Sequence, residues 1–222
     1  MATSKPAKRI GMIHTVLGLA GLMDGLIKQR HPGVEVFHFV DEKLLADLLA
    51  NGGLDASITQ RMTRYGEMAQ QAGADLVLST CSSTSPAVDS ARKSVTVPFL
   101  KIDDAMAERA VSEGTKIGLL CTASSTVSAS QGLLESHAAA KGRSVKISAV
   151  LEEEAYRAKF AGDQARHDTI VSEAAARLAR DNDLIVLAQA SMAHLADEIG
   201  KKIGKPVLAS PRLCVESLSA WL

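Results

Sequence analysis

Aromatic residues are scarce, at 3% of 222 positions, so the chain has little to stack on nucleic-acid bases. With hydrophobic residues at 46%, the core must be built from Ala, Leu, Val and Ile. Net charge is also missing. The 25 Lys and Arg balance the 25 Asp and Glu, leaving no overall field to hold nucleic acid or an anionic membrane. Cysteine occurs three times, with no CxxC and no Cys/His cluster, which argues for reduced thiols and against a disulfide frame or a zinc site. No apolar run approaches the ~20 residues of a membrane span. Met1–Pro6 has no apolar stretch of the kind a signal peptide carries. The expectation is a cytoplasmic protein with a small-molecule substrate and no nucleic-acid or membrane partner. Nucleotide motifs are absent as well. Gly18, Gly21 and Gly25 do not have the dinucleotide spacing, Asp41 is only a weak echo of its acidic residue, and no P-loop pattern occurs.

Apolar strand-like runs alternate with helical patterns almost throughout. Strands are expected at 9–14, 34–40, 76–79, 95–102, 116–121, 145–150, 184–188 and 207–209. Helices are expected at 17–30, 42–50, 54–72, 86–91, 105–113, 127–141, 152–160, 164–180, 191–202 and 215–222. Such alternation is the pattern of a parallel sheet with helices on both faces.

The chain also repeats itself. Ile10-Gly11-Met12-Ile13-His14-Thr15-Val16 matches Ile117-Gly118-Leu119-Leu120-Cys121-Thr122-Ala123, 107 residues later. Asp75-Leu76-Val77-Leu78 matches Asp183-Leu184-Ile185-Val186, and Val97-Pro98-Phe99-Leu100 matches Lys205-Pro206-Val207-Leu208, both 108 residues later. Two pseudo-symmetric α/β half-domains are therefore expected, with a site in the cleft between them. The boundaries expected are 8–98 plus 209–222 for the first and 99–208 for the second.

Chemistry concentrates where strands end. Thr80-Cys81-Ser82-Ser83-Thr84-Ser85, closed by Pro86, follows the run Leu76–Ser79. Ligands of open α/β sheets bind at such carboxyl ends, and a helix start beside a thiol favours the thiolate. Cys81 is thus either a reactive thiol or a small buried filler. The 108-residue offset places Gln189 opposite it, within Leu187-Ala188-Gln189-Ala190-Ser191. The other pair of turns holds His14-Thr15 and Cys121-Thr122, the latter continuing into Ser124-Ser125-Thr126. Each hydroxyl can equally be an ordinary helix cap; their convergence suggests neutral donors for a small carboxylate.

With Cys81-Ser82-Ser83-Thr84, Thr122–Thr126 and Leu187–Met192, the chain resembles the aspartate/glutamate (hydantoin) racemase superfamily, which includes maleate cis-trans isomerase and arylmalonate decarboxylase. The resemblance implies a cofactor-free site without metal, and a last strand and helix returning to the first domain. It also implies a thiol in each half, acting on opposite faces of the carbon next to a carboxylate. Cys81 matches the first thiol. Gln189 stands at the second position, and an amide moves no proton near neutral pH, so its expected role is to orient the substrate. Racemisation, one-thiol decarboxylation, cis-trans isomerisation through a Cys adduct, and non-catalytic binding of a small carboxylate all stay open. His14, Cys121 and His194 are the candidates to replace the missing thiol. The expected substrate contacts are His14, Thr15, Ser82, Ser83, Thr84, Thr122, Ser124, Ser125, Thr126, Ala190 and Ser191, and a homodimer or larger homo-oligomer fits the class.

Overall fold

The run Ile10–Ile13 is apolar at every position but Gly11, as a strand covered on both faces requires. It forms β1 (Arg9–His14), which pairs in parallel with β2 (Glu35–Val40) on one side and β3 (Leu76–Ser79) on the other. The structure, a computed structural model, describes residues 7–222, so the expectations about Met1–Pro6 fall outside the described residues. β4 (Phe99–Lys101) completes a parallel sheet of order β2-β1-β3-β4. Its helices are α1 (Leu17–Arg30), α2 (Glu42–Ala50), α3 (Ala56–Gln71) and α4 (Ser85–Ala91).

The second sheet repeats the first. β5 (Lys116–Cys121), β6 (Lys146–Leu151), β7 (Leu184–Leu187) and β8 (Val207–Ala209) are parallel in the order β6-β5-β7-β8. With them go α5 (Asp104–Glu113), α6 (Ser124–Ala140), α7 (Glu153–Phe160), α8 (Gln164–Leu178) and α9 (Ala196–Ile203). α10 (Ser210–Ser217) ends the regular structure. No helix among the described residues is long and apolar enough to cross a membrane.

The contacts divide the chain into residues up to Ile102 with Val215–Leu222, and Asp103–Cys214. The expected boundaries at 98 and 208 are corrected by strand pairing. β4 is bonded to β3, with Val77 opposite Phe99, and so stays with the first sheet. β8 is bonded to β7, with Ile185 opposite Val207, and so stays with the second, leaving only the chain from Val215 to return. Other expected bounds shift too. The strand expected at 95–102 shrinks to three residues after Pro98, which has no N–H for a ladder. The helix expected at 191–202 is a 3₁₀ segment, Ala190–Leu195, followed by α9. Ser124, Ser125 and Thr126 open α6 instead of forming a loop before it.

Two features of the repeat have physical causes. Asp75 and Asp183 each accept backbone N–H groups where the neighbouring strand begins. Arg9 N–H donates to Asp75 Oδ2 at 2.9 Å, and Thr115 and Lys116 N–H donate to Asp183 Oδ2 at 2.9 and 2.8 Å. Those bonds hold both carboxyls below the usual carboxylate range. Gly11 and Gly118 allow a helix to press on the central strand. A Cβ on Gly11 would sit 2.9 Å from Ala69 Cβ of α3, and one on Gly118 would sit 2.6 Å from Ile185 Cδ1 and 3.3 Å from Leu178 Cβ of α8.

Gly11→Ala is expected to destabilise the protein by about 1–3 kcal/mol, because the Ala69 Cβ is fixed to its helix and cannot swing aside. Gly21→Ala, at an exposed position of α1 with nothing within 4 Å of the added carbon, is expected to stabilise by about 0.5–1 kcal/mol. Urea unfolding midpoints of the two variants against the parent check both signs.

Candidate active site

Cys81 and Gln189 occupy equivalent places. β3 ends at Ser79, paired with Ile13 of β1, and β7 ends at Leu187, paired with Leu120 of β5. Each residue lies two positions beyond that last pair. The 108-residue offset in the sequence is therefore an equivalence of strand register.

The first turn is closely held. Thr80 N–H donates to Ile13 O at 3.0 Å, carrying the ladder one residue past β3. Thr84 Oγ1 donates to Cys81 O at 3.3 Å, and Ser85 N–H donates to Ser82 O at 3.2 Å. Pro86 sits in the first turn of α4, where its missing N–H costs nothing. Cys81, Ser82, Ser83 and Thr84 are all buried, with Cys81 at 9% exposure. The buried Ser79 and Ser85 hydroxyls have no hydrogen-bond partner among the described residues. The Ncap positions of the helical segments after these strands, Val16, Thr84, Ala123 and Gln189, make no side-chain cap bond. Capping elsewhere is done by Asp41, Asp55 and Asp163. Asp41, the weak nucleotide echo, also accepts from Tyr65 Oη at 2.8 Å and pairs with Arg61.

In the second sheet Gln189 is locked onto Thr122. Thr122 N–H donates to Gln189 Oε1 at 2.8 Å, and Gln189 Nε2 donates to Thr122 Oγ1 at 2.8 Å. The amide ties the turn after β7 to the turn after β5. Because Thr122 Oγ1 accepts in this pair, its own hydrogen is turned elsewhere. Thr122 and Thr126 are buried, Ser125 is half-buried, and Ser124 and Ser191 are exposed. Thr15 and Ala190 are buried.

The candidates for the missing thiol have other occupations. His14 is fully buried, with Nδ1 2.8 Å from Thr80 Oγ1 and Nε2 2.9 Å from His38 Nδ1. Both of its ring nitrogens thus have partners within the first sheet. Burial and the neighbouring His38 ring push its pKa down to about 4, so it is neutral at physiological pH. Cys121 has no exposed surface, and burial, with Asp103 nearby, pushes its thiol up to about 12. It is core packing, among Leu119, Leu134 and Val186. Burial raises the Cys214 thiol as well. His194 is half-exposed and faces Asp168, with Nε2 3.0 Å from Oδ1. The residues that sequence reasoning missed are Thr80 and His38. Met12 pairs with His38 in the β1–β2 register, so His14 is the diagonal neighbour on the same face. Only the register carries that signal.

Comparison with known proteins bears on the family and the fold. A model of the Asp/Glu/Hydantoin racemase family matches residues 19–218. Among solved structures, a putative Asp/Glu racemase from Yersinia pestis superposes with a TM-score of 0.76 at 17% identity, covering 96% of this chain and 98% of that one. Allantoin racemase from Klebsiella pneumoniae superposes with a TM-score of 0.70 at 17% identity, covering 96% and 88%. Arylmalonate decarboxylase does so with a TM-score of 0.60 at 16% identity, covering 96% and 92%. No curated protein matches the chain by sequence.

The Thr80–His14–His38 chain gives stability a pH dependence. Folded His14 titrates near 4 and an unfolded histidine near 6.5, so the folded state binds fewer protons between those values. The stability due to the neutral ring is complete above about pH 6.5 and is lost as the pH falls through 4, by about 3 kcal/mol in all. His14→Gln is expected to flatten that slope, measured as urea midpoints from pH 7 down to about 4.5.

Proposed function

The chain belongs to the Asp/Glu/hydantoin racemase family, and on that premise we propose that it is a cofactor-independent enzyme moving a proton at the carbon next to a carboxylate, with the Cys81 thiol as its only acid/base sulfur. The observation that carries this reading is the contrast among the three cysteines. Cys121 and Cys214 are held as neutral thiols by burial, Cys121 with a pKa of about 12. Cys81 also lies at a strand end amid hydroxyls, but at 9% exposure it keeps some surface, where Cys121 has none. A thiol that delivers or removes a proton must reach its thiolate near neutral pH, and at a pKa of about 12 only about one molecule in 10⁵ does so.

In this proposal Ser82, Ser83 and Thr84 hold the substrate carboxylate beside Cys81. In the second unit the proposal gives the Thr122 hydroxyl a donor role, together with Ser125 and Thr126 of α6. Gln189 acts as a positioning residue. Its amide is committed to Thr122 by two 2.8 Å bonds, so it fixes the direction of that hydroxyl and transfers no proton. One thiol and one amide at register-equivalent positions favour one-sided chemistry over a symmetric two-base racemisation. Such chemistry delivers a single proton to one face, as in decarboxylation of an activated acid, or proceeds through a covalent Cys adduct. The substrate class is an amino acid or related small carboxylic acid.

A panel of small carboxylic acids in deuterated solvent tests the proposal. The expected result is deuterium uptake at the α-carbon with retention of configuration, or decarboxylation that places one deuteron on one face. Cys81→Ala is expected to slow either by at least about a hundredfold. Equal interconversion of both enantiomers by the parent protein would overturn the one-thiol reading. Tight binding without exchange for every acid would favour a binding protein over an enzyme.

A further inference from the structure

His167 and Asp168, near the start of α8, converge with His194 of the 3₁₀ segment after β7. One donor atom of each residue lies within 4.8 Å of those of the other two. Asp168 Oδ1 is 2.7 Å from His167 Nδ1 and 3.0 Å from His194 Nε2, and the two rings stack at 20° with centroids 6.3 Å apart. Gln164 Nε2 adds a third approach to the same oxygen, at 2.6 Å. Adjacent residues on a helix normally point about 100° apart. Here they close on one point together with a side chain from a different element. All three ligands belong to the second unit.

We propose that His167, Asp168 and His194 form a binding site for a divalent transition-metal ion of the Zn²⁺ type. Two imidazole nitrogens and one carboxylate oxygen are the donor set of such ions, whereas Ca²⁺ and Mg²⁺ take oxygen almost throughout. The geometry is close to what an ion needs. Metal–ligand bonds of about 2.0–2.2 Å set neighbouring ligand atoms roughly 3–3.5 Å apart. His194, with its side chain 47% exposed, has room to adjust and gives the ion a way in, while His167, 1% exposed, is the fixed post. Three protein ligands leave a fourth position for water.

The same structure bounds the affinity. His167 Nε2 is buried without a hydrogen-bond partner. An ion on Nδ1 forces the ring proton onto that nitrogen, where no acceptor meets it. Loss of such an outer partner weakens metal binding by about ten- to a hundredfold, so a Kd on the order of micromolar is expected instead of the far tighter binding of a fully supported site. A bound ion would staple the 3₁₀ segment to α8. Gln189 is the Ncap of that segment, so the ion would also steady the turn that carries the Gln189–Thr122 pair. The site does not depend on the enzymatic reading above.

Titration of the purified full chain with Co²⁺ alone, followed by visible ligand-field absorption and displaced by Zn²⁺, tests the proposal. One equivalent is expected to bind without a sulfur-to-cobalt charge-transfer band. His194→Ala, at a half-exposed position, is expected to weaken binding at least tenfold with an unchanged melting temperature in the ion-free state. Asp168→Asn is expected to do the same, and it guards against a misfolded first variant. Three results would overturn the site: no binding at millimolar Co²⁺, parent-like affinity in folded His194→Ala, or a thiolate band that moves the ion to a cysteine.

Discussion

The parallel pairing of the third strand of each sheet onto the first governs where Cys81 and Gln189 fall. β3 ends against Ile13 and β7 against Leu120. Two residues beyond, the chain leaves the ladder at Cys81 and at Gln189. A slip of one residue would turn the whole strand over and send its side chains to the opposite face. The register is held at the far end by Asp75 and Asp183, whose carboxylates grip the amides where β1 and β5 begin. It is supported from the side by α3 and α8, which approach closely only because Gly11 and Gly118 have no side chain. The Asp and Gly of the sequence repeat are thus the clamp and the clearance of one device, used twice.

On this shared frame the two halves have diverged in chemistry. The first keeps a thiol at the strand end and, beside it, a buried chain from Thr80 through His14 to His38. Burial holds the His14 ring neutral, so the chain stiffens the sheet edge without adding charge near the thiol. The second half has an amide at the position equivalent to Cys81. Gln189 uses both ends of that amide on Thr122, and a group satisfied in this way is a brace. The asymmetry between two register-equivalent positions, more than any single residue, is what the one-thiol proposal rests on.

Much of this was legible in the residues themselves. The offsets between Asp75 and Asp183 and between Pro98 and Pro206 implied two sheets of one topology, and the structure has them. The same offset paired Cys81 with Gln189. It could not say where the units divide, because β4 and β8 are three-residue strands whose allegiance is set by hydrogen bonds to β3 and β7. Nor could it separate the three cysteines. Cys121 sits in a hydroxyl-rich context much like that of Cys81, yet it is sealed among the side chains of α6 and β7.

The sequence by itself determined the alternation of strands and helices, the duplication, and the list of residue types at the strand ends. These follow from periodicity and spacing, which are local properties of a chain. The tertiary structure decided which of those residues face one another. His38 meets His14 through the pairing of β1 and β2, and Asp168 meets His194 through the packing of the 3₁₀ segment on α8. Such meetings join residues 24 and 26 positions apart with no fixed spacing to announce them. They depend on register and on the close approach of elements, and these exist only once the core has formed.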